Sequence, residues 1–215
     1  LYTQNRAIEF AMLITLPAMV GLMYLAEPLV HVLFERGKFD AYSTQAVAST
    51  VFGFATGLPA YILIKIFSSS FFARQDTLTP ILTALASMLI NVILNLLLIY
   101  KLKHLGIALA TSIAAWSNAA LLGWLLSRRG LIAFDKPLGH YLVKTGVASA
   151  ATLGALIIVY SNCRSWIHHT QFFHRISAVG LLVAVGLTVY MVVCYILGCL
   201  KFHEYQEHLV TDSHE

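Results

Sequence analysis

Lys65 is the only Asp, Glu, Lys or Arg between Asp40 and Arg74. A charge at the centre of a membrane helix costs roughly 2.5–3.5 kcal/mol on insertion scales unless water or a partner stabilises it. Two placements answer that cost. Either the ammonium faces a wet cavity, or its stem carries it to the headgroups; Arg74 is nine residues on, roughly 13 Å at helical rise. Ser68, three residues along the same helical face, makes that face more polar than lipid favours, and the cavity is the preferred placement. A second polar set follows. Ser87, Asn91 and Asn95 recur every four residues on one stripe, and Thr111 and Asn118 stack seven apart. Amides in lipid need partners, so this stripe serves either helix-to-helix hydrogen bonds, worth about 1 kcal/mol or less each, or contact with a polar substrate; the first is preferred. Lys65, Asn91 and Asn95 are the candidate cavity residues.

Other patterns point to no chemistry. His203-Glu204-Tyr205-Gln206-Glu207-His208 approaches HExxH, but its second histidine comes one residue too late to share the helical face that zinc geometry requires. His168, His169 and His174 share a loop without a nearby acid or thiol, so no metal site is expected. Cys163, Cys194 and Cys199 form no CxxC and read as small apolar filler. Neither a GxxxxGK nor a GxGxxG loop is present to cradle phosphates, and no cofactor is expected.

The elements that must hold these residues are membrane helices. Of 215 residues, 59% are apolar and 11% charged, about half the charge of a soluble domain, and mean hydropathy is +0.77. Between Glu9 and Glu27, Asp40 and Lys65, Asp76 and Lys101, Lys103 and Arg128, Lys144 and Arg164, and Arg175 and Lys201 lie 17, 24, 24, 24, 19 and 25 uncharged residues. Each gap is near the roughly 20 residues that cross a hydrocarbon core of about 30 Å. The fold class is therefore all-α, with six transmembrane helices and no extramembrane domain. The net charge of +4 is spread beside the spans rather than gathered in a patch, which argues against nucleic acid.

The first helix is expected over 8–25, with Glu27-Pro28 opening a separate surface-lying stretch, 29–34, before the loop 35–40. Asp40 or Ser43 caps a second helix of some 31 residues, running through Gly53, Gly57 and Pro59 to Ala73. Thr79-Pro80 starts the third, which reaches Tyr100. A short loop with Lys101 and Lys103 leads to the fourth, 105–127, stopped by Arg128-Arg129-Gly130. The fifth spans 141–160, with Gly146, Ala150 and Gly154 as a ridge for close packing, and the sixth spans 175–200. The loop with Asp135, Lys136 and Pro137 divides the chain into 1–130 and 131–215. Seven Lys and Arg on one side face six on the other, so charge barely places both termini inside. The first ten residues, LYTQNRAIEF, form no signal peptide, and we expect a truncated chain.

The segments NRAIEFAMLITLPAMVGL, LFERGKF, KIFSSSFFARQDTLTP and NVILNLLLIYKLKHLGIALATSIAAWSNAALL follow one another in this order. Together, from about Asn5 to Arg129, they resemble the MurJ (MviN) family of bacterial lipid II flippases, within the wider superfamily of multidrug and oligosaccharide-lipid exporters. The resemblance implies two six-helix lobes around a central cavity, followed by two extra helices bordering a groove for the lipid tail. This chain then corresponds to the last four helices of the second lobe plus the extra pair. It also implies the cytoplasmic membrane of a bacterium, with both termini cytoplasmic. The implied partners are membrane lipids, the missing helices of the first lobe, and lipid II, an undecaprenyl-pyrophosphate-linked disaccharide-peptide. The cavity arginines of the family lie mainly in helices absent here. What carries over is Lys65 on a cavity-lining helix and the turn Arg74-Gln75-Asp76 on the cytoplasmic face.

The expected function is accordingly transport without an ATPase of its own, not enzymatic catalysis. Another exporter of the superfamily, or a membrane scaffold that transports nothing, is the alternative.

Overall fold

The computed structural model describes residues 2–35, 37, 39–132, 136–167 and 172–199, and the regular structure among them is helical. The helices are α1 (Tyr2–Phe34), α2 (Ala41–Ala55), α3 (Leu58–Phe72), α4 (Leu78–Arg128), α5 (Lys136–Ile167) and α6 (Phe172–Ile196). In lipid a backbone must satisfy its own hydrogen bonds, which leaves such apolar runs only the helix. Among the described residues five apolar stretches are long enough to cross a membrane: Gln4–Phe34, Ala41–Phe72, Leu78–Arg128, Pro137–Asn162 and Ile176–Ile196.

α4 contains 51 residues, about 76 Å if straight and far more than one crossing needs. It is folded on itself. Lys103 has non-helical angles (φ 48°, ψ −125°), and Ser87 Oγ donates to Ala114 O at 2.8 Å, so 78–102 and 104–128 run as antiparallel arms. Gly106 makes the turn possible, since a Cβ there would stand 2.6 Å from Leu98 O. Two apolar arms thus stand where two helices are expected from the charge gaps, but the loop expected between Tyr100 and Leu105 shrinks to a single broken residue.

Other boundaries also move. α1 does not end near Leu25; it runs through Glu27-Pro28 to Phe34, because Ala26 and Val30 pack with Ala48 beside Val51 of α2 and hold its last turns. Pro17 leaves Leu13 O without a helical donor, and the hydroxyl of Tyr190 from α6 donates to that carbonyl at 2.6 Å. Asp40 caps α2 by accepting the Ser43 N–H at 2.9 Å. The single helix expected from there to Ala73 breaks at Thr56-Gly57. α4 begins at Leu78 rather than at Pro80, with the Asp76 carboxylate taking the Thr79 N–H at 3.0 Å. α5 and α6 extend beyond or shift from the expected 141–160 and 175–200.

α1 is the centre of the bundle, in contact with α2, α3, α5 and α6. Where it begins, Ile8 and Met12 pack with Phe67, Phe71, Leu122, Leu126, Ile132 and Leu138. Further along, Leu25 meets Leu156, Ala178 and Leu182. α5 turns Thr145, Ala148, Thr152 and Leu156 inward. The ridge expected to pack closely faces the other way, and a Cβ on Gly146 or Gly154 would find open space.

Candidate functional site: a cavity beside a broken span

A shallow cavity of about 310 Å³, open to the surface, lies between α3 and the two arms of α4, lined by Tyr61, Ile64, Ala84, Ser87, Met88, Asn91, Thr111, Ala114 and Ala115. The arms bring the polar stripe and Thr111 together as helical spacing requires, and the hydrogen bonds then divide their roles. Ser87 is used between the arms, donating to Ala114 O. Thr111 Oγ1 returns to Ile107 O at 3.0 Å. Asn95 Nδ2 donates to Asn91 Oδ1, so Asn91 lines the cavity while Asn95 stands one turn away as its support. Asn118 is 8% exposed, and its Oδ1 has no partner among the described residues.

Lys65 is exposed and is not among the lining residues. It stands one helical turn beyond Tyr61 on the same face of α3, nearer the end of the bundle that holds Asp76. No hydrogen bond or ion pair ties it to another described residue. The structure therefore brings Asn91 and Asn95 together and leaves Lys65 outside the cavity lining.

The turn Arg74-Gln75-Asp76 is a clasp. Gln75 takes a left-handed conformation (φ 60°) that ends α3, its N–H bonded to Phe72 O at 2.9 Å and that of Asp76 to Phe71 O at 3.1 Å. Asp76 Oδ2 accepts from Arg129 at 2.5 Å and from Thr79 Oγ1 at 2.7 Å. The Arg129 guanidinium, and after it the Thr79 donors, hold the Asp76 carboxyl down at about 2. Arg129 also bonds Thr79 Oγ1 at 3.0 Å and lies 5.3 Å from the Phe71 ring centre. Arg74 stays exposed. This joins the end of α3 to the end of α4 across 53 residues.

Several residues that make polar contacts within and between the helices were not legible as candidates. Glu9 is 4% exposed inside α1 and is paired with Arg6. Glu35 closes the LFERGKF turn, accepting from Thr44 Oγ1 at 2.7 Å and lying 2.7 Å from His31 Nδ1. Ser112 and Trp116, four residues apart, donate to Gly53 O and Thr56 O at 2.7 and 3.0 Å. Their signal was present as Gly53 and Gly57, spaced four apart like the two donors, although the second bond falls on Thr56 O beside Gly57. Among the described residues no three of His, Cys, Asp and Glu converge. His168, His169 and the stretch 203–208 lie outside the described residues, as do the side chains of Cys163 and His174.

Comparison with known proteins supplies the frame for this geometry. A family model described as Lipid II flippase MurJ matches residues 2–180, which carries the resemblance past Arg129 through α5 and into α6. A probable lipid II flippase MurJ of Rhizobium tropici is 35% identical over 196 residues, covering 91% of this chain and 37% of that protein. Its counterpart in Rickettsia prowazekii is 33% identical over 201 residues, covering 93% and 39%. One from Rhizobium meliloti is 43% identical over 155 residues, covering 72% and 29%. The chain thus spans well under half the length of these relatives. With five long apolar helices among the described residues and a family match over most of its length, this multi-pass membrane chain belongs to the MurJ family of lipid II flippases.

Proposed function

We propose that this chain is the C-terminal part of a lipid II flippase. With the helices of a first lobe it moves the lipid-linked peptidoglycan precursor across the cytoplasmic membrane by alternating access. The observation that carries the reading is the family match over residues 2–180. In this reading residues 1–130 complete the second lobe, 131–215 form the extra helix pair, and the end of the bundle with Asp76 faces the cytoplasm. The driving force is an ion gradient or the membrane potential. Lys65 supplies positive charge beside the cavity for an anionic headgroup, a role supported by its place one turn from cavity-lining Tyr61 and by its having no hydrogen-bond or ion-pair partner among the described residues. Asn91, with Asn95 behind it, presents amide donors to the polar part of the same substrate.

The test is a chimera with this chain fused behind the N-terminal portion of the Rhizobium tropici relative, expressed in cells depleted of their own flippase. The chimera restores growth, and the 215 residues alone do not, since one wall of a cavity cannot alternate its access. Lys65→Met in the chimera lowers lipid II translocation at unchanged membrane levels, and Lys65→Arg retains more activity because it keeps the charge. Failure of the chimera to rescue contradicts the function; full activity of Lys65→Met returns Lys65 to snorkelling.

A further inference from the structure

Halfway along the span Ala41–Phe72 the helix breaks at Thr56-Gly57 and resumes at Leu58. Pro59 has no N–H to offer Ala55 O, and the ladder loosens there with both residues still in right-handed angles: Thr56 N–H keeps its helical partner Phe52 O at a long 3.4 Å, and Gly57 N–H shifts to Phe54 O, three residues back, at 3.0 Å. A break at this depth persists only where neighbours satisfy the freed carbonyls. Two donors on one face of the second arm of α4 take the carbonyls on either side of Ala55, Ser112 on Gly53 O and Trp116 on Thr56 O.

These two bonds differ in how readily they part. Ser112 is 1% exposed, and the Cβ position of Gly57 lies 2.7 Å from its Oγ, so backbone and hydroxyl are wedged together. Gly53 O also keeps a second donor, Thr56 Oγ1 at 2.7 Å. Trp116 is 44% exposed, and among the described residues its indole N–H is the one partner of Thr56 O. Ser112 is the pivot and Trp116 the part that can let go.

We propose that Thr56-Gly57 is a hinge and Trp116 its latch. With the indole N–H on Thr56 O, α3 is held at its present angle to α2; release lets that angle change, with α3 still seated on the second arm of α4 through Phe67 and Phe71. Only the use of this motion in transport rests on the flippase reading. The hinge is a property of the chain itself.

Spin labels at Gln45 of α2 and Ser69 of α3, both exposed, read the angle by pulsed electron resonance. The probe is the whole chain in phosphatidylethanolamine–phosphatidylglycerol nanodiscs, with Cys163, Cys194 and Cys199 replaced by alanine. Trp116→Phe keeps the ring and removes the donor, and it adds a distance population absent, or nearly so, from the unsubstituted chain. A distribution identical to that chain overturns the hinge. Independently, cysteines at 56 and 116 of the chimera joined by a bifunctional thiosulfonate abolish lipid II translocation in vesicles, and a thiol reductant restores it; full transport in the tethered protein overturns the latch. If the untethered chimera does not translocate, the flippase reading fails and the spin-label distances alone decide the hinge.

Discussion

Tyr190→Phe removes one oxygen atom and leaves a carbonyl of another helix without its donor. Pro17 cannot give Leu13 O the N–H that a regular helix supplies, and Tyr190, 5% exposed, donates to it from α6 at 2.6 Å. A buried acceptor stranded in a soluble core costs about 1–3 kcal/mol, but hydrogen bonds within membrane bundles average about 0.6 kcal/mol and reach about 1.7. The lower range governs here, because Pro17 leaves Leu13 O unpaired in the unpacked membrane helix as well. The expected loss is about 1 kcal/mol, or roughly fivefold in the unfolding equilibrium. Pro17→Ala returns the N–H to the helix, so Tyr190→Phe in that background costs close to nothing, and the coupling of the pair is about 1 kcal/mol. Unfolding by dodecyl sulfate in mixed micelles, followed by tryptophan fluorescence, measures all four corners of the cycle. Equal costs of Tyr190→Phe in both backgrounds would refute the assignment of Tyr190 to the carbonyl freed by Pro17.

The same unfolding assay separates two glycines. Gly53→Ala places a Cβ 2.6 Å from the Cβ of Ala108 and destabilises by about 1–3 kcal/mol before a helix-propensity gain of up to about 1, with Ala108→Gly recovering part of the loss; Gly146→Ala, in open space, is neutral or stabilising. For Asp76, held at about 2 chiefly by its bond from Arg129, the depressed value means the clasp contributes above the ordinary carboxylate range. That contribution is lost as pH falls toward 2. Arg129→Gln moves the Asp76 titration, read by carbon NMR of the carboxyl, back up toward the ordinary range, and an unmoved titration would contradict the pairing. For orientation, a membrane-impermeant thiol reagent applied from outside labels a cysteine at Lys103 and not one at Gln75; the reverse pattern would invert the proposed topology.

The membrane character of the chain and the approximate positions of its crossings were legible because insertion responds to the summed transfer free energy of each local segment. A run of 24 uncharged residues reports that sum without reference to any other run. Local backbone chemistry was legible for a similar reason. Asp40 caps α2 through a residue three positions away, and Gly130 (φ 66°) ends α4 with the left-handed turn that its missing Cβ permits. Lys65 stood out by its charge alone, but that charge did not foretell its place outside the cavity lining.

What the sequence withheld depends on which helices become neighbours. Nothing near Pro17 names Tyr190, 173 positions away, and nothing near Asp76 names Arg129. Pro28 reads locally as a stop, yet α1 continues because α2 packs against its last turns. Gly57 and Pro59 read as a tolerable bend, yet α2 and α3 separate there because Ser112 and Trp116 supply the donors that make a break affordable in lipid. Span, cap and composition are additive over adjacent residues and so belong to the sequence. Cavity, clasp and hinge arise from hydrogen bonds and close contacts between distant segments, and tertiary structure alone decides those.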